Sequence, residues 1–428
     1  MKAYAELSKE ELLTLQKDLN EQYKDVCSKG LKLNMARGLP SAEQLDMEAD
    51  FFNMLHPDSN FISEAGVDCR NYGELIGITE ARKLMADMME VSPDEVIVFG
   101  NSSLNIMYDT VARSMLHGVN GSTPWCKLDK VKFLCPAPGY DRHFAITEQF
   151  DIEMITIPMT ATGPDMDMVE EYVNNDPAVK GIWCVPKYSN PQGITYSDET
   201  VKRFAALNPA ADDFRIYWDN AYTIHHLFNG PEDQLLEIMA ECKKAGKPNM
   251  VFKFCSTSKV TFPGSGVAAM AASVENLDFV KKIITIQTIG HDKLNQLRHV
   301  RYFKNIDGMK AHMKKHADII RPKFELVLNT LEKEIGDLGI GEWTKPHGGY
   351  FVSFESMDGC AKTIVSMCKE AGVTLTGAGA TYPYKKDPKD SNIRIAPTFP
   401  PIENLAKALE IFVLCVKLAS VNKLLENK

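Results

Sequence analysis

VFKFCSTSKVTFPGSGVAAMAAS, Val251 to Ser273, is the stretch from which the rest of the chain is read. Val251 to Cys255 is an apolar run of β-branched and aromatic character, interrupted only by Lys253. It breaks into Ser256-Thr257-Ser258-Lys259 and then Pro263, Gly264 and Gly266, a pattern that predicts a strand, a loop and a glycine-rich turn. A second apolar run, Val267 to Ala272, follows directly. Lys259 thus sits between two segments whose composition asks for burial. An ammonium drawn out of water is costly unless it is paired, loses its proton, or is used covalently as a Schiff base. A lone SxxK also occurs on ordinary surface loops, so its neighbours must decide.

Upstream, short apolar runs alternate with segments of helical spacing. Val96 to Phe99 leads through Gly100-Asn101-Ser102-Ser103 into Leu104, Met107, Tyr108 and Val111. Val131 to Cys135 ends in Pro136-Ala137-Pro138-Gly139-Tyr140, and Ile152 to Ile157 is a further run. Gly181 to Val185 runs into Ser189-Asn190-Pro191-Gln192-Gly193, and Phe214 to Trp218 ends in Asp219-Asn220-Ala221-Tyr222. Such alternation predicts an α/β fold with a mostly parallel sheet covered on both faces. Ligands of such sheets lie beyond the carboxyl ends of the strands. Ser102, Tyr140, Asn190, Asp219, Tyr222 and Lys259 all fall there. Each also has a plain reading: Ser102 as a helix cap, Tyr140 as a core aromatic at a turn, Asn190 as an Asn-Pro turn. Asp219 could cap a turn, but it closes the apolar Ile216-Tyr217-Trp218 run.

Towards the ends, Ser8-Lys9-Glu10-Glu11 forms a capping box, and a first helix is expected to about Cys27. Ala36-Arg37-Gly38-Leu39-Pro40 reads as an irregular turn, either a connector or a backbone that passes close to a ligand. A helix over Ile78 to Met89 follows Arg70-Asn71-Tyr72-Gly73. Beyond Lys259 the pattern predicts a helix beginning at Leu277, a loop over Thr288 to Lys293 and a long helix over Ala311 to Ile335. Strands are expected at Gly348 to Phe354 and Asn392 to Ala396, with helices over Ala361 to Ala371 and, amphipathic and closing, Leu405 to Ser420. Arg394, between Ile393 and Ile395, fits a site arginine or a surface ion pair equally well. No internal repeat or low-complexity tract is visible.

The 428 residues predict more than one domain. With 44% apolar and 25% charged residues the composition is that of an ordinary soluble globular protein. A net charge of −9 argues against nucleic acid as a partner. No apolar stretch reaches membrane-spanning length and the first residues read as a polar helix, not a signal peptide, so a cytoplasmic protein without membrane contact is expected. Ten cysteines without a CxxC pair predict buried reduced thiols, with neither disulfides nor a metal site.

Together these motifs resemble the class I aminotransferases of fold type I, which use pyridoxal 5′-phosphate (PLP). The resemblance rests on Ser256-Thr257-Ser258-Lys259, Asp219 with Tyr222, Asn190-Pro191-Gln192-Gly193, and Arg394 within Asn392-Ile393-Arg394-Ile395-Ala396. Residues 36–41 and 290–299 are similar to the divergent bacterial aspartate aminotransferase branch, type Ic. The resemblance implies a large cofactor domain over residues 58–300 and a small domain built from 1–57 and 301–428. It further implies that Lys259 holds PLP as a Schiff base and then moves the substrate proton. Asp219 would pair with the ring nitrogen; Asn190 and Tyr222 would bond the ring oxygen, and Tyr140 would stack on the ring. Ser102, Ser103 and Ser256 would take the phosphate, with Tyr72 reaching it from the other subunit of a homodimer. Arg394 would bind the substrate α-carboxylate, with Asn190 and the turn at Gly38 beside it.

The match departs at one point. Most relatives carry an arginine seven or eight residues after the lysine, where this chain has Gly266 and Val267, so hydroxyls such as Ser265 and backbone N–H groups are expected to hold the phosphate instead. Lys293 is the expected reader of a dicarboxylic side chain, with Arg37 and Arg142 as competitors. The implied reaction is ping-pong transfer of the amino group of L-aspartate or L-glutamate to a 2-oxo acid. The same residues would suit an aromatic or aliphatic aminotransferase, a β-lyase or a decarboxylase. A PLP-binding regulatory domain is the non-enzyme alternative.

Overall fold

The computed structural model describes residues 2–426 and 428. Its centre is an eight-stranded sheet. In chain order the strands are β1 (Val96–Val98), β2 (Lys132–Ala137), β3 (Glu153–Thr160), β4 (Gly163–Pro164), β5 (Val179–Cys184), β6 (Arg215–Asp219), β7 (Val251–Ser256) and β8 (Ala268–Ala271). Their spatial order is β1-β8-β7-β6-β5-β2-β3-β4. The five strands β3, β2, β5, β6 and β7 run parallel, while β8 lies antiparallel to both β7 and β1.

The apolar runs of β5 and β6 are buried along their whole length because helices cover both faces. Successive side chains go to opposite faces, so Ile216 and Trp218 join one core and Tyr217 the other. Gly181 in β5 is required by its neighbour: a Cβ there would lie 2.4 Å from the Phe133 ring.

Helix α1 (Lys9–Ser28) starts at Ser8 with the expected capping box to Glu11. A short helix α2 (Ala42–Asp46) is capped in the same way by Ser41 and Gln44. Helix α3 (Ser103–His117) follows β1, and α4 (Asp141–Gln149) follows β2. After the sheet come α5 (Lys293–Phe303) and α6 (Ile306–Ile335). The long helix begins five residues earlier than its periodicity indicates, because Asn305 caps it through the Gly308 N–H.

A three-stranded antiparallel sheet joins β9 (Gly341–Trp343), β10 (Val352–Ser356) and β11 (Asn392–Ile395) in that order. The expected strand at Gly348 starts only at Val352. Gly348 is packed under the His225 carbonyl and the Tyr188 ring, and Gly349 has a φ of +82°, so residues 348–350 turn before pairing begins. The final helix, α7 (Ile402–Glu426), is longer than expected and is not amphipathic: Leu409, Cys415, Leu418 and Val421 are all buried, on several faces. It is enclosed by α1, by α6 and by the helix over Ala361–Glu370, which leaves no solvent face along its middle. Residues from α1, α6, β10, β11 and α7 thereby share one core. All ten cysteines are free thiols. No described helix is long and apolar enough to cross a membrane.

Candidate active site

One cavity opens beyond the carboxyl ends of β1, β2, β5, β6 and β7. Its lining includes Ser102, Ser103, Tyr140, Asn190, Asp219, Tyr222, Ser256, Ser258 and Lys259. The six polar residues at strand ends therefore meet in one place, which turn composition alone does not require. Parallel strands in register deliver their last residues to a common edge, and the chain departs from that edge at each of them.

Lys259 keeps part of its surface because the cavity reaches it. Its Nζ nevertheless lies 4.9 Å from the centre of the Tyr222 ring and 5.8 Å from that of Tyr350. Burial lowers its pKa, Asp219 acts in the opposite direction, and Arg394 lowers it further. The amine is thus biased towards the neutral form that a base or nucleophile needs. The Lys259 turn is braced from behind. Thr257 Oγ1 accepts the Val267 N–H at 2.9 Å, and Asn295 Nδ2 donates to the carbonyls of Ser265 and Gly266. Burial brings the His299 pKa down to about 4, and its Nδ1–H donates to Asn295 O. Its Nε2 therefore accepts from Thr257 and Thr261.

Asp219, the last residue of β6, is 2% exposed. Its Oδ2 lies 3.0 Å from His143 Nε2, while its Oδ1 is buried without a partner. His143 in turn stacks on Trp183, with ring centres 4.5 Å apart, and Trp183 Nε1 donates to Thr147 of α4. His143 was not singled out from sequence. The available signal was its place in the helix after Tyr140, one turn on, facing the strand that carries Trp183. Burial and the Asp219 charge raise the Tyr140 pKa to about 12, and burial holds that of Tyr222 well above its ordinary value, so both hydroxyls stay protonated donors.

Arg394 is 8% exposed, which settles the ambiguity of its strand position in favour of the interior. Its NH1 donates to Asp141 Oδ1 and Asn190 Oδ1, each at 3.2 Å, and its NH2 to Thr376 Oγ1 at 3.1 Å. The guanidinium stands 4.6 Å above the Phe351 ring, and its Nε has no partner. Gly38 crosses the same ring: a Cβ at that position would lie 2.5 Å from Phe351 Cζ. The backbone at residue 38 therefore does pass close to the site, and its glycine is sterically required.

Ser102 is the residue before α3 and its side chain makes no capping bond, leaving the first N–H groups of that helix open to the cavity. Ser256 Oγ donates to Ser258 Oγ, which donates to Asn101 O. Among the described residues, Lys259 is the one lysine that lines the cavity and no arginine does. Ser265 does not line it either. It lies in the short turn Pro263–Ser265, with its Oγ buried and unpartnered. Tyr72 and Lys293 are brought together elsewhere, in a second cavity with Arg70 and Asn71, where Lys293 Nζ donates to Gly73 O at 3.0 Å. Tyr72 is 81% exposed. Within one chain neither lines the Lys259 cavity. Arg37 and Arg142 are exposed.

A doubly covered sheet whose strand ends gather a desolvated lysine and a half-open buried aspartate, with an arginine of the small sheet bonded to Asn190 at the same edge, defines a fold type I transferase. The model of the family described as aspartate amino-transferase matches residues 7–428. An aspartate aminotransferase of Corynebacterium glutamicum is 45% identical over 405 residues, covering 94% of this chain and 93% of that protein. A crystal structure of an aspartate transaminase from the same species superposes with a TM-score of 0.95 at 42% identity, over 99% of each chain. The α-aminoadipate aminotransferase LysN of Thermus thermophilus, in complex with N-(5′-phosphopyridoxyl)-L-leucine, shares the fold with a TM-score of 0.73 at 21% identity, over 94% of this chain and 95% of that one. The chain belongs to the aspartate amino-transferase family, and it is an aminotransferase.

Proposed function

We propose that the protein transfers the amino group of L-aspartate or L-glutamate to a 2-oxo acid, with PLP as cofactor. One observation carries this reading: Asp219 offers an unpartnered buried oxygen into the cavity that also holds the Lys259 amine and the open start of α3. These residues fit the group. Asp219 would face its ring nitrogen, Asn190 and Tyr222 its ring oxygen, Tyr140 its face, and Ser102, Ser103 and Ser256 its phosphate, with the helix start in place of the missing arginine. When bound, PLP supplies a protonated ring that takes up the electron pair released at the substrate α-carbon.

The chain's own residues do the rest. Arg394 binds the α-carboxylate through its free Nε and the outer face of its fork, while Asn190, Thr376 and the Phe351 ring hold the guanidinium in plane. Lys259, biased towards its neutral form, accepts the α-proton and later returns one. Asp219 keeps the ring nitrogen protonated, and His143, clamped by Trp183, orients that carboxylate.

Tyr72 and Lys293 line a surface cavity of their own, an arrangement suited to serving the partner's site in a homodimer. Tyr72 would there contact the phosphate, and Lys293 the distal carboxylate of the substrate. Ten free thiols suit a reducing cytoplasmic setting.

The test is a visible absorption spectrum of the PLP-loaded protein before and after L-aspartate, with L-phenylalanine in parallel. Conversion of the visible band by L-aspartate with release of oxaloacetate supports the assignment. A response to L-phenylalanine alone refutes the substrate, and no band after adding PLP refutes the cofactor.

A further inference from the structure

Next to the Lys259 turn, and outside the residues that line the cavity, lies a second cluster of titratable groups. Glu48 follows α2, and His312 and His316 sit one turn apart on α6; Glu48 is wholly buried and both imidazoles nearly so. Glu48 Oε1 is 2.9 Å from His316 Nε2 and 3.6 Å from His312 Nε2, and the two Nε2 atoms are 3.0 Å apart. His312 Nε2 is also 3.1 Å from the carbonyl oxygen of Val260, the residue after Lys259. A carboxylate this deep needs a positive or hydrogen-bonding partner. Among the described residues the imidazoles are the only basic groups in ion-pair range of Glu48.

Separations of this size would accommodate a tetrahedral metal ion, but the hydrogen bonds of Gln44 favour a proton. Gln44 Oε1 accepts the Ser41 N–H at 3.0 Å in the capping box of α2. Its amide NH2 therefore faces the other way and donates to His316 Nδ1 at 2.8 Å and to the Tyr350 hydroxyl at 3.2 Å. A ring whose Nδ1 accepts carries its proton on Nε2, where a metal would need a lone pair. That proton is aimed at His312 Nε2, and Glu48 lies to the side with neither oxygen receiving an in-line donor. His312 Nε2 is thus asked both to accept from His316 and to donate to Val260 O. It cannot do both at once. If Glu48 draws the His316 proton, His312 is free to donate to the Val260 carbonyl; otherwise that carbonyl loses its donor.

The other end of this segment reaches the substrate side. Ala36 O accepts from Thr376 Oγ1 at 2.7 Å, and Thr376 Oγ1 accepts from Arg394 NH2. Residues 36–48 therefore run from the partner of Arg394, across Phe351 at Gly38, to Gln44 and Glu48. We propose that Glu48, His316 and His312 are positioning residues that couple the Arg394 end of the site to the backbone of the Lys259 turn through this segment. The inference rests on the roles given above to Lys259 and Arg394.

The test is amide hydrogen exchange on the PLP-loaded protein, comparing Glu48→Leu, which removes the acceptor, with Glu48→Gln, which keeps one. The amides of Val260 and Thr261, both bonded to Thr257 O, should exchange about tenfold faster in Glu48→Leu, the effect of one lost buried hydrogen bond. The rate should recover in Glu48→Gln. kcat/KM for L-aspartate should fall roughly 10- to 100-fold in Glu48→Leu, as expected for a misplaced catalytic group. Should Glu48→Leu fail to fold, the wild type still decides: succinate, as a simple dicarboxylate, should slow exchange in residues 36–48 and at Val260 and Thr261 together. Unchanged exchange at Val260 and Thr261 in either experiment overturns the proposal. So does one equivalent of a transition metal in the purified wild type that is absent from Glu48→Gln. If instead the role of Lys259 were wrong, the visible band would be missing from the wild type while the exchange pattern stood.

Discussion

Gly38→Ala is the sharpest steric probe of the site. Gly38 does not have a positive φ, so alanine introduces no backbone strain; what it introduces is a methyl group 2.5 Å from Phe351 Cζ and 2.8 Å from Cε1. Carbon atoms settle at roughly 3.5 Å or more, so either the ring or residues 36–39 must move by about 1 Å. The ring is 5% exposed, and Arg394 lies over it. On the other side the segment is tied down by Thr376 on Ala36 O and by Thr398 on Leu39 O. Overpacking of this kind costs about 1–3 kcal/mol. Where that cost falls on the seat of the guanidinium it weakens carboxylate binding by about 5- to 150-fold. Steady-state kinetics with L-aspartate should therefore show KM raised in that range, and kcat lowered by a smaller factor. Phe351→Leu in the same chain should recover much of the loss, since a smaller side chain vacates the contested space. A KM unchanged in Gly38→Ala, with an unchanged melting temperature, would refute the link between residue 38, Phe351 and Arg394.

The remaining expectations are briefer. Lys259→Ala should fold normally yet lose turnover and the visible band of the PLP-loaded protein; retained turnover would end the mechanism. His143→Ala strips Asp219 Oδ2 of its buried partner, and with a hydrogen bond to a charged group contributing about 1.5–3 kcal/mol, kcat/KM should fall about 10- to 100-fold. Arg394→Lys keeps the charge but loses the fork, so KM should rise by a similar factor, roughly 10- to 100-fold, for amino and oxo acids alike. Burial lowers the pKa of His299 to about 4 and of His225 to about 3, from ordinary values of 6.5. Below pH 6.5 the unfolded chain then binds more protons than the folded one, so stability is full above that pH and is lost as pH falls towards 4. Each group contributes up to about 1.4 kcal/mol per pH unit. Urea unfolding of His299→Gln across this window should show a visibly flatter dependence than the wild type.

Much of this was legible in the chain itself. The sheet was readable because burial on both faces leaves near-continuous apolar runs, and β5, β6 and β7 are such runs, each with a single lysine or arginine. Lys259, Asp219, Asn190, Tyr222, Tyr140 and Ser102 were readable because each falls at or within a few residues beyond the end of such a run. The failures have a common cause. Strand residues 348–351 and the face of α7 were misjudged because local spacing does not record what packs against a segment: Tyr188 and the His225 carbonyl on Gly348, and several helices around α7.

What the sequence by itself determined is the order of elements and the polar residues at their ends, since hydrophobic periodicity is a local property of the chain. Only the tertiary structure decided that His143 serves Asp219, that Arg394 reaches Asn190 from the small sheet, and that Glu48 meets His316 across 268 positions. Those contacts depend on how helices and loops dock, and no periodicity encodes the distance between two side chains brought together by packing.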